Sequence, residues 1–134
     1  MPSTLSEKAR AFLQERRFAV LATLNKDGSP QLTTMWYLLD ENTIIMNTKA
    51  GRVKDLNMKR DPRISICVED GYNYVTISGN VEMDEDQETA HRDIYRLAAR
   101  YDGEENAKQQ MEEQFSKEHR ITLRLKCENV IERL

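Results

Sequence analysis

Between residues 18 and 83 the chain is cut into short extended runs by dense turn signals, and this pattern most constrains its fold. Residues 18–24 form a nearly continuous apolar run, the kind that is buried on both faces of a sheet. Asn25-Lys26-Asp27-Gly28-Ser29-Pro30 follows, a segment dense in turn formers. Residues 31–39 resume extended structure, and Asp40-Glu41-Asn42 turns the chain back into residues 43–48. Three strands joined by turns this short are expected to form an antiparallel meander.

The rest of the chain fills in around these strands. Thr4 and Glu7 have the spacing of a capping box, with Leu5, Ala9, Phe12 and Leu13 on one helical face and Arg16 and Arg17 at its end. Residues 50–60 read as a short helix that stops before Pro62. Residues 63–69 alternate as a strand. Residues 72–83 read as another, in which Gly79 signals a bulge or a close backbone approach. Residues 82–118 hold 12 acids and 5 bases at helical spacing, the solvated faces of helices. Residues 119–134 close the chain as one strand, with Ile121, Leu123, Leu125 and Cys127 on the inner side. The expectation is a single α+β domain over residues 1–134, mainly β, with six antiparallel strands closed into a barrel.

Composition narrows the function. Hydrophobic residues make up 39% of the 134 and charged residues 32%, a thin core that an oligomer would complete. The net charge of −3 argues against a general nucleic-acid binder. No apolar run approaches a membrane span, and the N-terminus lacks the apolar stretch of a signal peptide. Cys67 and Cys127 are far apart and read as two buried thiols in a reducing cytoplasm. His91 and His119 have no partner at metal-ligand spacing, so no structural metal is expected.

Three segments could carry chemistry. Residues 49–63 hold six bases and two acids in an acidic chain. Lys49, Arg52 and Lys54 sit where a strand ends and a helix begins, a position already partly positive, so an anion such as phosphate would relieve them. The same residues also read as a solvated basic turn. Gln31, Thr33, Met35 and Trp36 mix polar groups with the single tryptophan. They could wall a flat heteroaromatic ligand or pack at a subunit interface. The segment around Tyr74 offers aromatic residues on a strand, which more simply pack. No nucleophile elbow, Walker loop or dinucleotide fingerprint is present, so any redox chemistry belongs to a cofactor.

FAVLATLNKDGSPQLTTMWYLLD, NTKAGRVKDLNMKRDPRISICVED and GYNYVTISGNVEM, in that order, resemble the pyridoxamine 5′-phosphate oxidase-like split β-barrel superfamily. They are most similar to its small members that bind the deazaflavin coenzyme F-420. GRVKDLNMKRDPR is the most specific stretch. The resemblance implies an FMN-binding-barrel-like fold and a homodimer with cofactor sites at the subunit interface. It implies that Arg52 and Lys54 bind the cofactor phosphate, that Thr48 and Lys49 support it, and that Gln31, Thr33, Met35 and Trp36 line the ring. Tyr74 would approach from the other subunit. The implied activity is hydride transfer between F-420 and a small electron-poor or conjugated substrate. FMN in the same cleft and a non-catalytic cofactor carrier are the alternatives. The Arg-x-His signature of the true pyridoxamine phosphate oxidases does not occur before Arg133-Leu134, which points away from that substrate.

Overall fold

A computed structural model describes residues 4–134. Helix α1 (Glu7–Gln14) precedes strands β1 (Ala19–Leu24), β2 (Pro30–Met35), β3 (Leu38–Asp40) and β4 (Thr43–Lys49). Helix α2 (Val53–Arg60) leads into β5 (Arg63–Asp70), β6 (Asn73–Asn80) and β7 (Glu82–Asp84). Helices α3 (Gln87–Asp102) and α4 (Glu104–Glu113) and a 3-10 turn (Phe115–Lys117) then return the chain to β8 (Arg120–Lys126) and β9 (Val130–Arg133).

The strands form two antiparallel sheets, ordered β2-β1-β5-β6-β9 and β3-β4-β8-β7. Among the described residues nine strands in two sheets therefore replace the six-stranded closed barrel expected from sequence. Three expected strands are each two. The run at 31–39 breaks at Trp36-Tyr37, so that β2 stays in the first sheet while β3 joins the second, and the meander does not form. The run at 72–83 breaks at Val81, and the run at 119–134 breaks at residues 127–129.

Each break has a tertiary cause. Tyr37 is fully buried. Its amide donates to the Tyr101 hydroxyl at 3.1 Å, and its own hydroxyl donates to the Leu13 carbonyl at 2.9 Å. Val81 donates its amide to the Pro62 carbonyl, and Ser78 donates to the Asn129 carbonyl, in both cases outside the strand ladders. A Cβ on Gly79 would lie 3.2 Å from Leu125 Cδ1, so the close approach expected there is present.

The main core lies between the sheets and takes in Ala9 and Leu13 of α1. A second cluster, including Ile45, Ile94, Leu97, Ala107 and Phe115, packs α3 and α4 on the other side of the smaller sheet. That sheet is thus covered on both faces, which is why β4 and β8 bury nearly every residue. The larger sheet is covered on one. In β1, buried and more exposed residues alternate, and Val20 remains 37% exposed, contrary to the two-sided burial expected for residues 18–24. Cys67 lies on that open side and is half-buried, whereas Cys127 is buried as expected.

The helix starts also differ in detail. Ser6, not Thr4, caps α1, accepting from the Ala9 amide at 3.0 Å. α2 begins at Val53 rather than at residue 50, because Gly51 takes φ 91° and turns the chain first. Among the described residues no helix is long and apolar enough to cross a membrane.

Candidate functional site

Helix α2 is unusual in what it buries. Its inner residues are Lys54, Asp55, Asn57 and Met58, so it is held by polar contacts more than by an apolar stripe. Asn57 donates to Thr23 Oγ1 at 3.1 Å and to Asn25 Oδ1 at 3.0 Å, and accepts from Arg60 Nη2 at 2.7 Å. These bonds fasten α2 to the β1 strand and the turn that follows it. Asp55 accepts from the Gly51 amide at 2.7 Å and pairs with Lys59 at 3.3 Å. The loop that presents Lys49 and Arg52 is therefore pinned by its own helix.

This loop forms one end of a cleft of about 330 Å3. Thr33, Thr34, Met35 and Trp36 at the end of β2 line it, with Asn47, Thr48 and Lys49 at the end of β4. Arg52 and Lys54, Ile94 and Leu97 of α3, Gln114, Phe115 and Arg120 complete it. Apolar groups lie toward Trp36, Met35, Ile94 and Leu97, and cations toward α2. The Trp36 ring is stacked on Tyr101, which fixes its plane.

The cationic end is under electrostatic load. Lys54 is only 7% exposed, and among the described residues no carboxylate pairs with it. Burial lowers its pKa, and repulsion from Arg52 and Arg120 lowers it further. Arg120, 6% exposed, is likewise pushed down by burial, opposed by its hydrogen bond to Glu118 and reinforced by Arg52. Glu118 is the counter-charge, 2.8 Å from Arg120 and 3.6 Å from Lys49. Burial raises its pKa, but Arg120 and Lys49 more than offset this and hold it below the usual value. Four cations face one carboxylate, an arrangement that favours an anionic ligand. At the other end Thr33 Oγ1 is buried with no hydrogen-bond partner, a polar atom free for the edge of a ring. The donor set thus fits a phosphorylated heteroaromatic cofactor.

Seven of the nine residues singled out from sequence come together here: Thr33, Met35, Trp36, Thr48, Lys49, Arg52 and Lys54. Gln31 does not line the cleft; its side chain accepts from Thr23 Oγ1 at 3.1 Å and belongs to the network that holds α2. Tyr74 does not line it either. It sits on β6 opposite Glu69 and Arg133, on the open side of the larger sheet. Asn47, Arg120, Gln114 and Phe115 were not singled out. Arg120 lies far along the chain, but β8 pairs with β4 so that Arg120 stands opposite Lys49.

A larger cavity of about 520 Å3 lies elsewhere, between Ser78-Gly79-Asn80 and Arg124-Leu125-Lys126. Arg124 there is already paired with Glu82 and Asp84, at 3.2 and 3.0 Å. Size alone does not make it the reactive site, because it offers no unpaired buried cation.

Comparison with known proteins agrees with this fold. The family model described as pyridoxamine 5′-phosphate oxidase matches residues 5–131. The F-420H(2)-dependent biliverdin reductase of Mycobacterium tuberculosis (strain CDC 1551 / Oshkosh) is 31% identical over 99 residues, covering 72% of this chain and 72% of that protein. The crystal structure of the conserved hypothetical protein Rv2991 from Mycobacterium tuberculosis superposes with a TM-score of 0.79 at 30% identity, over 98% of this chain and 85% of that one. A structure described as an F-420 reductase superposes with a TM-score of 0.74 over 95% of this chain and 98% of its own. At 24% identity its likeness speaks for the fold alone.

Proposed function

The chain belongs to the pyridoxamine 5′-phosphate oxidase family, and from that membership we propose that it is an F-420-dependent reductase of a small, electron-poor, conjugated substrate. The observation that carries this reading is the cleft itself, with four cations, the buried and unpaired Lys54 among them, at one end and a fixed tryptophan at the other. The 31% identical relative, an F-420H(2)-dependent reductase of biliverdin by name, supports the cofactor and the conjugated class of substrate.

In this reading Arg52 and Lys54 hold the cofactor phosphate, Lys49 and Thr48 flank it, and Thr33, Met35 and Trp36 position the ring. When bound, the reduced deazaflavin supplies a hydride to the substrate. Ile94 and Leu97 keep the reacting end apolar, and the chain's part is to hold the partners at reacting distance. The residues lining the cleft include no carboxylic acid, histidine or tyrosine. The proton that completes the reduction then comes from bound water or from Tyr74 approaching from the other subunit.

The same reading includes a homodimer. The uncovered face of the larger sheet carries the rows Thr34–Val20–Cys67–Thr76–Ile131 and Leu32–Ala22–Ser65–Ser78, without a charge in either. Leu32 is 64% exposed and Ile131 62%. Two adjacent uncharged rows, bordered by the Glu69–Tyr74–Arg133 row, suit a second copy of the chain. Tyr74 shares that face, which supports its assignment to a site on the other subunit.

The absence of an acid or base in the cleft favours one alternative, a carrier that binds the cofactor without turnover. Absorbance titration with F-420 and with FMN, followed by turnover of the reduced cofactor with enones, quinones and linear tetrapyrroles, separates the cases. The reductase reading expects micromolar F-420 binding and oxidation of the bound reduced cofactor faster than of the free one. Binding of FMN alone would overturn the choice of cofactor. Binding of F-420 without turnover on any acceptor would leave the carrier.

A further inference from the structure

The residue in the cleft least explained by folding is Arg120. It lies on β8, opposite Lys49 of β4, and its side chain is almost completely buried. Its guanidinium is held on two of three nitrogens. Nε donates to Asn47 Oδ1 at 2.9 Å, and Nη1 to Glu118 Oε1 at 2.8 Å. Asn47 is itself fixed, donating to the Ala90 carbonyl at 2.9 Å. The Phe115 ring lies 5.0 Å from the guanidinium carbon and closes one side. Among the described residues Nη2 makes no hydrogen bond, although the residue lines the cleft.

A buried arginine with one free nitrogen is an expensive way to join two strands. An apolar residue at this place would join β4 and β8 without desolvating a charge. Nor does Glu118 balance the site, because Lys49 shares it and Arg52 and Lys54 stand beside it. The arrangement resembles a preformed donor, held rigid so that little entropy is lost when a ligand arrives.

We infer that Arg120 is a direct ligand of the anion in this cleft, donating from Nη2 to the same phosphate that Arg52 and Lys54 hold, while Asn47 and Glu118 aim it. The inference rests on the phosphate end of the reading above and adds a ligand from a strand remote in sequence. Arg52, Lys54 and Arg120 all line the same cleft, and the charge of Arg52 is felt at both of the others.

The test uses the full chain and the variants Arg120→Gln and Arg120→Lys. Each is titrated with F-420 and with its phosphate-free form, and melted with and without inorganic phosphate. For F-420, Arg120→Gln is expected to lose about 10- to 100-fold in affinity, the scale of a charge-assisted contact. The phosphate-free form is expected to bind as it does to the native chain, and Arg120→Lys to recover part of the loss. Inorganic phosphate should raise the melting temperature of the native chain and not that of Arg120→Gln. Equal losses for the two cofactor forms, or equal stabilisation of both proteins by phosphate, would overturn the assignment and leave Arg120 a strand pin. If Arg120→Gln does not fold, Arg120→Lys decides by the same contrast. A native chain that binds neither F-420 nor FMN, yet is stabilised by phosphate through Arg120, would sink the reductase reading and keep this one. No response of the native chain to phosphate or to either cofactor would sink both.

Discussion

Trp36 lies flat on Tyr101, with ring centroids 5.3 Å apart and planes 7° from parallel. The Tyr101 hydroxyl in turn accepts the Tyr37 amide at 3.1 Å, at the point where β2 leaves the larger sheet. One residue of α3 thus fixes both the break in the strand and the wall of the cleft. Tyr101→Phe keeps the stacking and leaves a buried amide without its acceptor. It should cost about 1–3 kcal/mol, read as a lower urea midpoint. Because Trp36 is the single tryptophan, its fluorescence should change on cofactor binding in the native chain.

Removing either phosphate ligand should separate binding from stability. Arg52 is exposed, and Arg52→Ala should weaken F-420 binding about 10- to 150-fold with a stability change within about 0.5 kcal/mol. Lys54 is buried beside two other cations, so Lys54→Met should weaken binding similarly while raising the melting temperature of the ligand-free chain. Calorimetric titration and thermal melts check both. A ligand-free Lys54→Met chain less stable than the native one would refute the electrostatic account.

Alkaline pH should destabilise the fold in two steps. Burial pushes Cys127 up to about 11 from 9.0, and Tyr37 up to about 12 from 10.0. In each window the folded chain keeps a proton that the unfolded chain releases, so stability is lost as pH rises. Lys54 runs the other way: its folded pKa lies below its value of 10.5 when unfolded, so stability rises with pH between the two. Urea midpoints followed against pH should fall above 9, and Cys127→Ala should abolish the part of the fall that begins there.

Asn57 is the fastening of α2. Asn57→Ala strands Thr23 and Asn25 and removes the acceptor for Arg60, and should cost about 1–3 kcal/mol in chemical denaturation. It should also weaken cofactor binding, since α2 presents Arg52 and Lys54. A folded variant with native affinity would show that the helix is positioned by other contacts.

Light scattering should return twice the 15.7 kDa chain mass. Leu32→Glu places a charge at the β2 end of an uncharged row and should yield monomers that remain folded by circular dichroism. A native monomer at micromolar concentration would remove both the dimer and the role of Tyr74 at a shared site.

Much of the site was legible because its signals are local. Lys49, Arg52 and Lys54 are close together in an acidic chain, and Thr33, Met35 and Trp36 share one short segment. Gln31 is on the same face of β2 as Thr33 and Met35 but further along the strand from the cleft, where it meets the α2 network. Arg120 carried no signal. In sequence it is a polar residue at the start of an alternating strand, and only the pairing of β8 with β4 places it beside Lys49.

The sequence by itself determined the strand and helix runs, the turns between them and the basic loop before α2. Each is decided within a few residues by side-chain alternation, by turn formers or by charge. The tertiary structure alone decided where the long runs at 31–39, 72–83 and 119–134 divide, which sheet each half joins, and which face stays open. Those outcomes depend on Tyr101 for the first run, Pro62 for the second and Ser78 for the third, each distant in sequence from the break it accompanies. A strand ends where a buried amide finds a partner outside its own ladder, and only the folded chain brings that partner near.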